Sequence, residues 1–173
     1  EISLHDLVIK TSNIKFKDVG FKYLASNEKA INNINLDIPG SSMTAFVGHS
    51  GAGKSTIINL LPRFYDPQNG KIFIDDQEIR EISLNSLRKN ISLVSQDVIL
   101  FDDTIKANIA YANSTATDQE IIEACKNSAS DEFIQKLPNK YNTMIGENGV
   151  RLSGGQKQRI SIARAILKKA PLI

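Results

Sequence analysis

Only one of the 173 residues is a cysteine, Cys125, so no internal disulfide can form and the count suits a reducing compartment. Long apolar runs are also missing. None exceeds four residues, Val98-Ile99-Leu100-Phe101 being one, which is far too short for a helix crossing a bilayer. Net charge is small: 21 Lys+Arg against 19 Asp+Glu leave +2. With the two signs interspersed, there is no electrostatic case for nucleic acid or an anionic membrane as partner. No initiator Met and no signal-peptide pattern open the chain, so the expectation is a piece of something longer. What is present is ordinary: 41% apolar and 23% charged residues, at a length that suits one domain with its own core.

The polar start, through Lys10 to Asn13, reads as loose. Ile14-Lys15-Phe16 alternates, and after a break Val19-Gly20-Phe21-Lys22-Tyr23 alternates again, which predicts β structure. A further alternation, Ile34, Leu36, Ile38, ends at the turn signal Pro39-Gly40. Met43-Thr44-Ala45-Phe46-Val47 reads as a short buried strand running into a glycine-rich segment. Helix follows from Lys54, with Ile57, Ile58, Leu61 and Phe64 on its apolar face. Pro62 should kink or end it, since an interior proline costs about 3 kcal/mol. Residues 71–74 and 91–94 are further strand candidates, with Asp75-Asp76 as a turn.

From about Asp102 the character turns helical. Thr117-Asp118-Gln119-Glu120 is a capping box ahead of Ile121, Ile122 and Cys125. Ser153-Gly154-Gly155-Gln156 has the same form, ahead of Ile160, Ala163 and Leu167 on one helix face, and Lys168 and Lys169 close that helix. Cys125 is expected to pack as a small hydrophobe, and His5 and His49 to lie at the surface.

One segment carries chemistry on its own. Gly48-His49-Ser50-Gly51-Ala52-Gly53-Lys54-Ser55-Thr56 fits the phosphate-binding pattern G-x-x-x-x-G-K-[ST] at every fixed position. The glycines let the backbone fold so that N–H groups point at phosphate oxygens. Lys54 supplies a full charge to the β- and γ-phosphates, and the Ser55 hydroxyl is placed to bind Mg²⁺. A guanine nucleotide is a weak option. The Asp-x-x-Gly at Asp37 to Gly40 lies upstream of the loop, and Asn139-Lys140-Tyr141-Asn142 lacks the aspartate a guanine site needs.

Leu152-Ser153-Gly154-Gly155-Gln156 decides among phosphate-loop proteins. Here the chain resembles the nucleotide-binding domain of ABC transporters, whose signature is Leu-Ser-Gly-Gly-Gln. Other family segments follow in order over nearly the whole chain. Tyr23 sits where the family's A-loop aromatic stacks on adenine, and Gln96 matches the Q-loop glutamine. Leu100-Phe101, Thr104-Ile105 and Asn108-Ile109 are similar to the exporter form of that loop, and Thr143, Gly146, Glu147 and Gly149 resemble the exporter X-loop.

The resemblance implies an α/β fold: a P-loop NTPase, RecA-like core with an antiparallel β subdomain and an inserted α-helical subdomain. Residues 1–95 would be β subdomain and P-loop core, 96–157 the Q-loop and helical subdomain, and 158–173 the signature helix and the start of a Walker B strand. ATP and Mg²⁺ are the implied ligands, with Ser55 and Gln96 on the metal. Ser153, Gly154, Gly155 and Gln156 would reach the ATP held by a second, head-to-tail copy. The implied role is the ATP-binding engine of an exporter, similar to bacterial lipid A and multidrug flippases, at the cytoplasmic face of the membrane beside a transmembrane domain. A soluble ABC ATPase of DNA repair would carry a long coiled coil between Gln96 and Ser153, and no sustained heptads occur there; a non-catalytic nucleotide-binding module is the other alternative. The family's Walker B aspartate and glutamate and its switch histidine match no residue of this sequence. ATP binding without turnover is therefore expected, as are marginal stability and exposed apolar surface beside the P-loop strand.

Overall fold

The computed structural model describes residues 4–173. The start of the polar segment, residues 1–3, lies outside the described residues. The chain divides into two compact units, one reaching to Ile91 and taking in Leu172, the other Ser92–Pro171 with Ile173.

The first unit is built on a four-stranded antiparallel sheet in the order β2-β1-β3-β4, formed by β1 (Ile14–Phe21), β2 (Ile31–Ile38), β3 (Asn69–Ile74) and β4 (Gln77–Glu78). The two alternating stretches read from the sequence are one strand with a bulge. Pairing with β2 runs Ile14↔Ile38 and Phe16↔Leu36, then shifts before Val19↔Ile34. At the shift Asp18 takes a left-handed φ of 50°, and its backbone N–H and carboxylate are both held by the Asn35 amide. The extra residue moves the apolar parity from even to odd, so Ile14, Phe16, Val19 and Phe21 are all buried. Without the bulge the second pair would face solvent, at about 2 kcal/mol for each large side chain.

β3 and β4 are joined by Asp75-Asp76, both at positive φ, the mirror-image turn whose twist matches a hairpin. α1 (Lys54–Leu60) buries Ile57 and Leu60 against the sheet's core and ends just ahead of Pro62. α2 (Leu84–Lys89), capped by Ser83, closes the unit with Leu87 inside.

Two expected strands are not ladders. Residues 43–47 pair with no described residue, and Met43 and Val47 are almost fully exposed while Phe46 packs on the core. Residues 91–94 make a single parallel bridge, Ile91↔Leu172. A strand exists only through its partner's hydrogen bonds, and none of β1 to β4 lies beside these segments.

The second unit is helical: α3 (Ile105–Ala110), α4 (Asp118–Asn127), α5 (Asp131–Ile134) and α6 (Gly154–Lys168). Both expected capping boxes form, Thr117 with Glu120 and Ser153 with Gln156. Ile160, Ala163 and Leu167 of α6 are buried together against α3 and α4, and Cys125 is fully inside the same core. Lys169 caps α6 in a left-handed conformation and pairs with Glu120 at 2.8 Å. Arg164 of α6 donates to the carbonyls of Asn108 and Ile99 and to the Asn108 side chain, each at 2.7 Å. The buried Asn108 amide in turn holds both the N–H and the C=O of Phe101.

The polar segment at residues 10–13 is tied down rather than loose. The Asp75 carboxylate accepts the N–H groups of Lys10, Thr11, Ser12 and Asn13 and the Thr11 hydroxyl. Burial pushes its pKa up, but those hydrogen bonds outweigh burial and hold the carboxyl well below the usual carboxylate range. Asp75→Asn is expected to lower unfolding stability by about 2 kcal/mol. A folded-state pKa below the unfolded one gives stability that is complete above about pH 4 and is lost on further acidification. Urea titrations of both proteins should therefore give a constant difference from pH 8 to 5 that shrinks as the pH falls below about 4.

Candidate functional site

The glycine-rich loop lies in the first unit between residues 43–47 and α1. Gly51 and Gly53 have φ of 83° and 84°, which favour glycine. Gly53 is constrained further, because a Cβ there would sit 2.6 Å from the backbone oxygen of Ala30. Ala52 N–H donates to the His49 carbonyl, and the Lys54 ammonium reaches back to the carbonyls of Gly48 and His49, both at 2.8 Å. The lysine charge is thereby held over the loop's mouth. Gly53 gives α1 no side-chain cap, so its first amides are left for another acceptor. Ser50, Gly51, Ala52 and Ser55 are exposed, and His49 is exposed with Nδ1 against the Ser50 carbonyl at 2.8 Å. An open loop with one fixed cation and bare amides suits a chain of phosphates, and the exposed Ser55 hydroxyl suits a hard, oxygen-seeking cation such as Mg²⁺.

The structure brings Tyr23 and the helix after the loop together. The Tyr23 hydroxyl is 3.1 Å from Oγ1 of the buried Thr56. Sequence reasoning missed the ring's company: Phe21 at 4.8 Å and Tyr65 at 5.2 Å, each at 87° to Tyr23. Phe21 is the last residue of β1, and Tyr23 follows two positions beyond it. No local pattern announces Tyr65, which is returned there by the turn after α1.

The second unit carries the other expected residues. Gln96 is exposed on the segment between Ser92 and α3. The preceding residue is held to α6 by Gln158, which donates to the Ser95 carbonyl at 3.4 Å. Ser153 caps α6, accepting from Gln156 N–H at 3.3 Å while the Gln156 side chain accepts from Ser153 N–H at 2.9 Å. Gly154 and Gly155 form the first turn, and added Cβ atoms at either would meet nothing within 4 Å. Packing therefore does not demand these glycines; a close approach to their bare backbone is the remaining physical use. Among the described residues no cluster of histidine, cysteine and carboxylate side chains could hold a metal ion by itself.

Residues 31–173 match the family described as ABC transporter. The ATP-dependent lipid A-core flippase of Thiobacillus denitrificans is 52% identical over 161 residues, 92% of this chain and 28% of that protein. ABC transporter B family member 2 of Dictyostelium discoideum is 49% identical over 93% of this chain and 12% of its own length. Among solved structures, a bacterial Atm1-family ABC exporter with ATP bound superposes with a TM-score of 0.93 at 43% identity, covering 96% of this chain and 29% of that one. The chain thus spans less than a third of the length of these relatives.

Gly53→Ala tests the loop's geometry. The left-handed φ and the contact with the Ala30 carbonyl should together cost about 1–2 kcal/mol. The expected result is a lower melting temperature together with weaker ATP binding, whereas Gly51→Ala, with open space around it, should cost less on the melting curve.

Proposed function

This chain belongs to the ABC transporter family, and on that premise we propose that it is the ATP-binding domain of an exporter that couples ATP binding and hydrolysis to moving a lipid or other hydrophobic substrate across a membrane. The observation that carries the reading is the glycine-rich loop with Lys54 held over its mouth and Tyr23 tethered to Thr56 beside it. The names of the relatives support the exporter role.

In this reading Tyr23 stacks on the adenine, and Gly48, His49, Ser50, Gly51, Ala52 and Gly53 wrap the phosphates with their backbone. Lys54 leaves its two carbonyls for the β- and γ-phosphates, and Thr56 anchors the helix start. Bound Mg²⁺, held by Ser55 and Gln96, would neutralise charge on the β- and γ-oxygens. A second copy, arranged head to tail, contributes Ser153, Gly154, Gly155 and Gln156 to the same ATP, which the open surroundings of the paired glycines support. Residues 1–95 then serve as β subdomain and core, 96–157 as Q-loop and helical subdomain, and 158–173 as signature helix leading to the next core strand. No helix among the described residues is long and apolar enough to cross a membrane. The transmembrane domain of the same transporter is a partner in this reading. The exposed Ile99, Phe101 and Tyr111 give it an apolar surface, at the cytoplasmic face of the membrane.

Hydrolysis also needs a carboxylate to position water, and small displacements of such a group cost about 100-fold in rate. Asp97 and Glu147 are exposed on other loops, and neither matches the family's Walker B glutamate. The 173-residue chain is therefore expected to bind ATP and release phosphate only at background rate. Lys54→Ala should weaken ATP binding by about tenfold or more while leaving that background unchanged. Titration with a fluorescent ATP analogue and a phosphate-release assay read the two effects, and Lys54-dependent turnover would show that some residue here replaces the glutamate.

The signature is tested separately by Ser153→Arg. In the dilute chain it should cost about 1 kcal/mol of stability through the lost cap yet leave ATP affinity nearly unchanged. In the full-length transporter the same substitution should abolish turnover. A large loss of affinity in the dilute chain would mean that the site closes within one copy.

A further inference from the structure

β1 ends at Phe21, so no ladder orients Tyr23, two residues further on. The backbone between is clamped by Gln68, whose side chain pairs with both the N–H and the C=O of Lys22. The Tyr23 ring itself is fixed by three side-chain contacts: its hydroxyl against Thr56 and its body against Phe21 and Tyr65. Phe21 and Tyr65 also touch, at 5.4 Å, closing a triangle of rings. Neither neighbour is parallel to Tyr23, so among the described residues no protein ring occupies the parallel-stacked position that a purine would take.

Tyr65 is half-exposed, and its place is set by a heavily constrained turn. Pro62 stops α1, and Arg63 turns the chain with φ of 53° and pairs with Asp66 at 2.9 Å. Arg88 donates to the carbonyls of Pro62 at 3.0 Å and Arg63 at 2.9 Å. These constraints deliver the Tyr65 ring to within 5.2 Å of the Tyr23 ring.

We infer that Tyr65 is a positioning residue for the nucleotide base: it holds the Tyr23 ring in the orientation that stacks on a purine, and so sets the base-dependent share of affinity without touching the phosphates. This rests on the reading of Tyr23 and the glycine-rich loop as an ATP site. A perpendicular aromatic contact is worth a factor of roughly three to ten in an equilibrium, which bounds the effect.

The experiment titrates the 173-residue chain with ATP and, separately, with inorganic tripolyphosphate, which has no base. Tyr65→Ala should weaken ATP about three- to tenfold and leave tripolyphosphate unchanged, and Tyr65→Phe should restore ATP binding. In a Tyr23→Ala background, Tyr65→Ala should cost nothing further, because the ring it holds is gone. Equal loss for both ligands, or additive losses in the double variant, would overturn the inference. Tyr65→Leu keeps apolar bulk and makes the same comparison where the alanine variant is too unstable to titrate. Lys54→Ala is the control for the underlying reading. If it leaves tripolyphosphate binding unchanged, the phosphate site itself is wrong and this inference falls with it, whereas a loss there with no Tyr65 effect on ATP overturns the inference alone.

Discussion

A loop that binds phosphate has to keep most of its own amides free, so it can use few ordinary turn hydrogen bonds to hold its shape; here one such bond forms, from Ala52 N–H to the His49 carbonyl. The first unit is organised around that constraint. The sheet supplies a rigid wall, and the Ala30 carbonyl, at the entrance to β2, fills the space a side chain on Gly53 would need. Lys54 pins two loop carbonyls, leaving the amides alone. Thr56, on the buried side of α1, links the helix to the aromatic cluster. Support comes largely from carbonyls, packing and side chains, and apart from Ala52 N–H the donor side of the loop backbone is left for the ligand.

The second unit solves a different problem, holding irregular backbone against helices. Asn108 imitates a neighbouring strand for Phe101, satisfying both of its main-chain groups. Arg164 spends its fork on the carbonyls of Ile99 and Asn108 and lies 5.6 Å from the Phe101 ring centre. Together with Gln158 at Ser95 this fastens the segment carrying Gln96 to α6 at two points, six residues of helix apart. The segment's position is therefore read from the helix that Ser153 caps.

Much of this was legible in the sequence because it is locally encoded. Capping boxes at Thr117 and Ser153, the turn at Asp75, the stop at Pro62 and the face of Ile160, Ala163 and Leu167 each follow from residues a few positions apart. The loop from Gly48 to Thr56 is legible as a motif, and Tyr23 by its place in the order of segments. What escaped depends on long-range pairing. The bulge at Asp18 is fixed by Asn35 on the next strand, and the tethering of residues 10–13 by a carboxylate more than sixty positions away. Residues 43–47 carry a strand's composition, but composition does not supply the neighbour that makes a ladder. Tyr65 joins Tyr23 only because a turn and an arginine from α2 return it there.

Cys125 has a practical consequence. It is the only thiol in the chain, wholly enclosed between α4 and its neighbours, and burial pushes its pKa up. A reagent in solution meets neither an accessible sulfur nor a thiolate until the helical core opens. The rate at which the intact protein is alkylated is then a clock for opening of that core alone, with no label to introduce and no background from the sheet-bearing half. Run with and without nucleotide, the clock would report how far events at the loop are felt among the helices, a quantity that neither affinity nor melting temperature isolates.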